Sequence, residues 1–201
     1  MSEVWWHRHS VTRDDRFARF GHVGATIWLT GLSGSGKSTI ANSASSLLFE
    51  VGISSYVLDG DNLRHGLNSD LGFADFERVE NVRRVGEVAQ ILADAGLVVF
   101  VPIISPFASG RASVRSRHQD LNLAFAEVFV ATPLLECERR DPKGLYARQR
   151  EGKVSGLSGV DAPYEPPTSA DLVMGTVDRT ADDCASELVT SLAHLWLPPA
   201  Q

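Results

Sequence analysis

Gly31-Leu32-Ser33-Gly34-Ser35-Gly36-Lys37-Ser38 is a run in which nearly every residue type has a use toward a chain of phosphates. Glycines let successive backbone N–H groups turn inward around oxyanions, and a helix opening directly behind them adds partial positive charge. A lysine at this spacing reaches the β and γ oxygens. On that basis Gly31, Ser33, Gly34, Ser35, Gly36, Lys37 and Thr39 are expected to cradle the nucleotide, with Ser38 ligating Mg²⁺. No Asn-Lys-x-Asp, the guanine-reading sequence of GTPases, follows a strand, so the expected donor is ATP. A merely glycine-rich turn is the plainer alternative. It is disfavoured because an apolar strand-like stretch precedes the run and a helical pattern follows it.

A second constellation, Asp59-Gly60-Asp61, falls at the C-terminal end of a short apolar stretch, which is where open α/β sheets bind ligands. Phosphoryl transfer depends on positioning and charge neutralisation, so an aspartate that orients a hydroxyl and takes its proton late is sufficient. Asp61 is expected in that role and, with Ser38, at the metal. An Asp-Gly turn capping a helix ahead of Asn62 and Leu63 is compatible with it. Arg64, Arg78, Arg83 and Arg84 crowd the same stretch, and guanidinium forks suit phosphate and sulfate oxygens. Any one of them alone reads equally as a solvated helix face.

These residues need a scaffold, and the chain alternates short β-branched runs with longer helical patterns, which predicts an α/β fold with a mainly parallel sheet. Strands are expected at 25–30, 55–58, 97–104, 127–130 and 172–174, and the most apolar of these, 97–104, is placed centrally. Helices are expected at 37–49, at 79–95, from Gly110, from Pro133 and at 181–196, the last stopped by Pro198-Pro199. Residues 141–169, rich in glycine, proline and charge, are too long for an ordinary connection and are expected to form a mobile lid.

At 201 residues and 43% hydrophobic composition, one core and one domain are expected. A net charge of −6 argues against a partner bound along a broad basic face, so no nucleic acid is expected, while leaving room for a local arginine cluster. Two cysteines, Cys137 and Cys184, are too few for a disulfide framework. Residues 1–19, with Trp5 and Trp6, lack the apolar stretch of a signal peptide, and no run approaches a membrane span. A cytoplasmic protein without membrane association is therefore expected.

The wording from Asp59 to Asn68, then Leu71-Gly72-Phe73 and Glu80-Asn81-Val82-Arg83-Arg84, closely resembles adenylyl-sulfate kinases. Ile104-Ser105-Pro106-Phe107 is similar to a strand-end motif of that family. The run from Cys137 through Asp141-Pro142-Lys143-Gly144-Leu145-Tyr146 is similar to its lid entry, and Asp161-Ala162-Pro163-Tyr164-Glu165 to its lid exit. His7, His9, Val11, Thr12, Arg13, Arg16 and Gly21-His22 resemble a bacterial leader, so residues 1–24 are expected to pack on a P-loop kinase domain spanning 25–197.

The resemblance implies a P-loop three-layer sandwich that transfers the ATP γ-phosphoryl group to the 3′-hydroxyl of adenylyl sulfate, with Mg²⁺. It further implies a homodimer and association with an ATP sulfurylase. Carried onto this sequence, Arg64, Phe73, Arg78, Asn81, Ile104 and Ser105 contact adenylyl sulfate, and Asp61 attends its 3′-hydroxyl. Lys143 and Arg140 close over the phosphates, and Lys37 and Lys143 join Asp61 as the catalytic set. Leu157 stands where the family carries a lid phenylalanine over the adenine, and Ala131 where it carries an aspartate. Two alternatives remain at this point: a P-loop kinase of altered acceptor, and a non-catalytic nucleotide-binding partner of a sulfurylase.

Overall fold

The structure is a computed structural model describing residues 4–5, 7 and 9–197; Trp6 and the Pro198-Pro199 stop lie outside the described residues. Its core is a five-stranded, all-parallel sheet: β1 (Ala25–Thr30), β2 (Ser55–Val57), β3 (Val98–Pro102), β4 (Ala124–Val130) and β5 (Leu172–Met174), in the order β2-β3-β1-β4-β5. The centre is therefore β1, not the more apolar β3. Both are covered on two faces, so hydrophobicity alone cannot rank them.

Side-chain alternation along the strands sorts the core into two layers. Ala25, Ile27 and Leu29 of β1, with Val98 and Phe100 of β3, face α2 (Lys37–Glu50) and α8 (Ala181–Leu192). Trp28, Val99 and Val101 face the other way, onto α4 (Asp75–Asp94), whose Val82, Val85 and Ala89 meet Val114 of α5 (Ala108–Asp120). Burying each such aliphatic side chain is worth about 1.5–3 kcal/mol. The three-layer sandwich follows from this two-sided burial.

Several boundaries depart from expectation for local reasons. Helix α4 starts at Asp75 because the Glu77 carboxylate accepts from the N–H groups of Gly72 and Ala74 at 2.8 and 2.9 Å. Upstream, α1 (Arg13–Phe20) is a helix the apolar periodicity does not announce; Thr12 and Asp15 close a capping box around its first turn. Arg13 and Arg16 both reach the Asp94 carboxylate, at 2.7 Å each, at the end of α4. Segment 141–169 is not one structureless loop. After α6 (Leu134–Arg140), the Asp141 carboxylate accepts from Tyr146 N and Ala147 N at 3.1 and 2.9 Å and starts α7 (Leu145–Arg150). Asp161 likewise accepts from Gly156 N and Leu157 N, at 2.9 and 2.6 Å.

Candidate active site

The loop between β1 and α2 wraps the N-terminus of α2. Gly34 and Gly36 have φ of 74° and 103°, in the left-handed region where a side chain is strained, and an added Cβ on Gly34 would sit 3.1 Å from Cys137 O. Thr132, just past β4, donates to Ser35 O at 2.9 Å, and Thr176, past β5, lies 3.3 Å from the same oxygen. Tyr146 of α7 donates its buried hydroxyl to Ser33 O at 2.9 Å. The loop is thus anchored from the ends of two strands and from the lid, none of which its own sequence announces.

Lys37 is buried and its ammonium donates to Gly31 O at 3.0 Å and to Leu32 O at 2.7 Å. Burial pulls its pKa down to about 8, with Lys143 pushing the same way and Cys137, Asp61 and Asp59 opposing. Ser38 donates to Asp59 Oδ2 at 2.6 Å, so the hydroxyl expected beside Asp61 is paired with Asp59 instead. Asp59 also caps the one-turn helix α3 (Gly60–Leu63), accepting from Asp61 N at 2.9 Å. The exposed Asp61 carboxylate pairs instead with Lys143.

One cavity of about 880 Å³ joins this loop to the second constellation. Ser33, Gly34, Gly36, Lys37, Ser38 and Thr39 border it on one side. Asp61, Arg64, Phe73, Arg78 and Asn81 border it on the other, and Ile104 and Ser105 form its floor at the end of β3. Arg140, Lys143 and Leu157 close the lid side. Gly31 and Ser35 are buried in the loop, outside the cavity wall, while Arg83 and Arg84 turn outward to pair with Glu80.

The acceptor half is held tightly. Phe73 is exposed, with the Arg64 guanidinium 4.2 Å from its ring centre and that of Arg78 at 5.8 Å. Arg64 donates to Leu71 O and Gly72 O, and burial lowers its pKa, with Arg78 adding to the effect. Arg78 donates to Phe73 O, to Ser158 Oγ at 2.8 Å and to Gly156 O at 2.5 Å, tying the lid to α4. Arg140 donates to Thr176 Oγ1 and Thr176 O, beside the phosphate loop. Ser105, at φ 42° and buried, accepts from the Trp28 indole at 3.0 Å and donates to Thr30 Oγ1, so its hydroxyl is engaged within the floor. Leu157 is buried with Cys137 and Tyr146 against Leu32 and is not a free platform over the cleft.

Among the described residues no cluster of His, Cys, Asp or Glu forms a ready metal cage, and no helix is long and apolar enough to cross a membrane. The oxygen donors of Ser38 and Asp59 at the mouth of the phosphate loop suit a hard cation such as Mg²⁺, which keeps few protein ligands and takes the rest from phosphates and water.

Comparison with known proteins gives one consistent picture. The family model described as "Adenylylsulphate kinase" matches residues 23–175. An adenylyl-sulfate kinase of Citrobacter koseri is 56% identical over 192 residues, covering 96% of this chain and 92% of that protein. The Bifunctional enzyme CysN/CysC of Mycobacterium tuberculosis is 53% identical over 92% of this chain, which spans about 30% of that longer protein. The solved structure of the M. tuberculosis APS kinase CysC in complex with AMPPNP and APS superposes with a TM-score of 0.83 at 53% identity, covering 85% of this chain and 98% of that one.

Proposed function

Because this chain belongs to the adenylyl-sulfate kinase family, we propose that its cleft seats ATP and adenylyl sulfate end to end and moves the γ-phosphoryl group to the acceptor's 3′-hydroxyl. The observation that carries the proposal is the single cavity, bordered by the phosphate loop on one side and by the Arg64, Phe73, Arg78 and Asn81 set on the other. Its loop end offers backbone N–H groups and Lys37 to the phosphates of a nucleoside triphosphate, its arginine end suits an anionic nucleotide, and a donor and acceptor held in one cleft react without covalent help from the protein.

In this reading the backbone N–H groups of the loop hold the donor phosphates, and Lys37 leaves the carbonyls of Gly31 and Leu32 for the β and γ oxygens. Ser38 and Asp59 would hold Mg²⁺, which would supply positive charge to offset the charge that develops on the phosphates. Asp61 orients the 3′-hydroxyl and takes its proton as the new P–O bond forms and the bond from the γ-phosphorus to the β–γ bridging oxygen breaks, with ADP as the leaving group. For this its pairing with Lys143 must open, freeing the ammonium to turn toward the transferred group beside Arg140. Phe73 supplies a face for the acceptor's adenine, and Arg64, Arg78 and Asn81 supply donors to it.

The reaction is assigned to the cytoplasm, where ATP is supplied. Assembly as a homodimer belongs to the same proposal, as does association with a sulfurylase, which the fused M. tuberculosis relative supports. A coupled assay with ATP, Mg²⁺ and adenylyl sulfate tests the chemistry. Formation of 3′-phosphoadenylyl sulfate is expected, and phosphorylation of gluconate or nucleosides in its place would overturn the acceptor assignment.

A further inference from the structure

Asn68 is fully buried in the turn between α3 and α4, yet it does not border the cleft. Its backbone is fixed at both ends: its N–H donates to Leu63 O at 2.9 Å, and its carbonyl accepts from Leu71 N at 3.1 Å. Its side chain reaches one partner, donating from Nδ2 to Asn81 Oδ1 at 3.0 Å, while its own Oδ1 is buried without a hydrogen bond among the described residues. A buried amide that spends a single N–H on one neighbour and leaves its oxygen unpaired calls for an explanation.

The neighbour supplies one. Asn81 is buried on α4 and borders the acceptor half of the cleft, and an asparagine presents opposite chemistry according to which way its amide is turned. With Oδ1 held by Asn68, the end facing the cleft is the NH₂ group, a donor. Turning both amides over would keep their mutual hydrogen bond but bury both N–H groups of Asn68 without an acceptor, where the observed arrangement leaves one N–H and the oxygen. That is the costlier arrangement. The orphaned oxygen is thus the smaller penalty of locking Asn81 in one sense.

Resting on the function proposed above, we propose that Asn68 is a positioning residue that fixes Asn81 as a donor toward a lone pair of the nucleotide acceptor. It selects a ring nitrogen or an oxyanion there over a donating group. It acts only through Asn81 and touches neither ATP nor the metal ligands.

Two variants test this, with both Michaelis constants, kcat and the thermal midpoint measured for each. Asn68→Asp offers only acceptor oxygens when ionised, which turns the Asn81 amide over; the KM for adenylyl sulfate should rise about tenfold, the scale of one reversed buried hydrogen bond. Asn68→Leu keeps the branching at Cγ, removes the orphaned oxygen and unpins Asn81, and should raise the same KM by about threefold, separately from whatever its added bulk costs the thermal midpoint. In both, the KM for ATP stays at its wild-type value. A merely structural asparagine would lower the midpoint without this split. If Asn68→Asp fails to fold, Asn68→Leu decides. Wild-type KM for adenylyl sulfate in the folded variants would overturn the inference alone, whereas a wild-type chain inactive on adenylyl sulfate would overturn the acceptor reading and this inference with it.

Discussion

Ser38 Oγ lies 2.6 Å from Asp59 Oδ2, so a single hydrogen bond joins the phosphate loop to the segment that presents Asp61. Asp59→Asn keeps an oxygen for capping α3 and removes the charge. The Mg²⁺ concentration for half-maximal activity is expected to rise about 10–100-fold, as for other groups that orient a metal ligand. The thermal midpoint should barely move, since asparagine caps as well as aspartate. An unchanged Mg²⁺ requirement in a magnesium titration would remove Asp59 from the metal.

Asp61 and Lys143 pair across the cleft with both side chains about half exposed or more. Such pairs contribute only about 0–1 kcal/mol to stability. Asp61→Ala should therefore leave the denaturation midpoint nearly unchanged while lowering kcat about 10²–10⁴-fold, the range of a lost general base. Wild-type turnover in this variant would exclude Asp61 from proton transfer without touching the family assignment.

Burial lowers the Lys37 pKa to about 8 in the ligand-free chain, and phosphate oxygens favour its charged form. Nucleotide binding should then take up a proton above that pH. Affinity for ATP is full below pH 8 and falls by roughly tenfold per unit above it, until the raised pKa of the complex is reached. A fluorescent-nucleotide titration between about pH 6.5 and 9.5 reads this directly; a flat profile would contradict it.

Leu157 and Phe73 border the same cavity but differ in burial: Leu157 is 7% exposed and Phe73 64%. Leu157→Ala should cost about 2–4 kcal/mol in chemical denaturation, because it empties the small core beneath the phosphate loop. Phe73→Ala should leave stability nearly intact and raise the KM for adenylyl sulfate by an amount equal to about 1–3 kcal/mol of lost stacking. The opposite pattern would make Leu157 the adenine platform.

Arg111 is buried against Glu127 at 2.6 Å and also donates to Ser105 O and Glu165 O, both at 2.7 Å. Arg111→Met leaves Glu127 with the distant Arg115, at 3.8 Å, as its one cationic neighbour among the described residues, and should destabilise the chain by about 3–5 kcal/mol. Adding Glu127→Leu should recover part of that loss, measured by urea denaturation. Without recovery, the carbonyl bonds rather than the ion pair carry the stability.

What the sequence makes legible here follows how local each signal is. The phosphate loop is contiguous, and its glycines announce their own backbone conformations. The strand starting at Ala25 and the helix starting at Lys37 fall where residue alternation and spacing put them. The hydrogen bonds that hold Ser35 come from Thr132 and Thr176, 97 and 141 residues along the chain, and nothing in either threonine's neighbourhood advertises them. Asp59 and Asp61 are both visible as a pair, but which of them meets Ser38 is decided by the cap of α3, a matter of one turn's geometry. The inward packing of Leu157 likewise depends on Tyr146 and Cys137, brought together only when the lid folds.

The strand order places β1, the first to be synthesised, at the middle of the sheet, with β3 and β4 as its two neighbours. A ribosome adding roughly 5–20 residues per second needs about 5–20 s to travel from the end of β1 to the end of β4. For that interval β1, apolar enough to be wholly buried in the finished fold, has at least one edge unpaired, since β4 is the later of its two partners to be made. The nascent chain therefore carries a strand destined for the centre of the core with an open edge through that wait, a state exposed to chaperone capture and to pairing with the wrong strand.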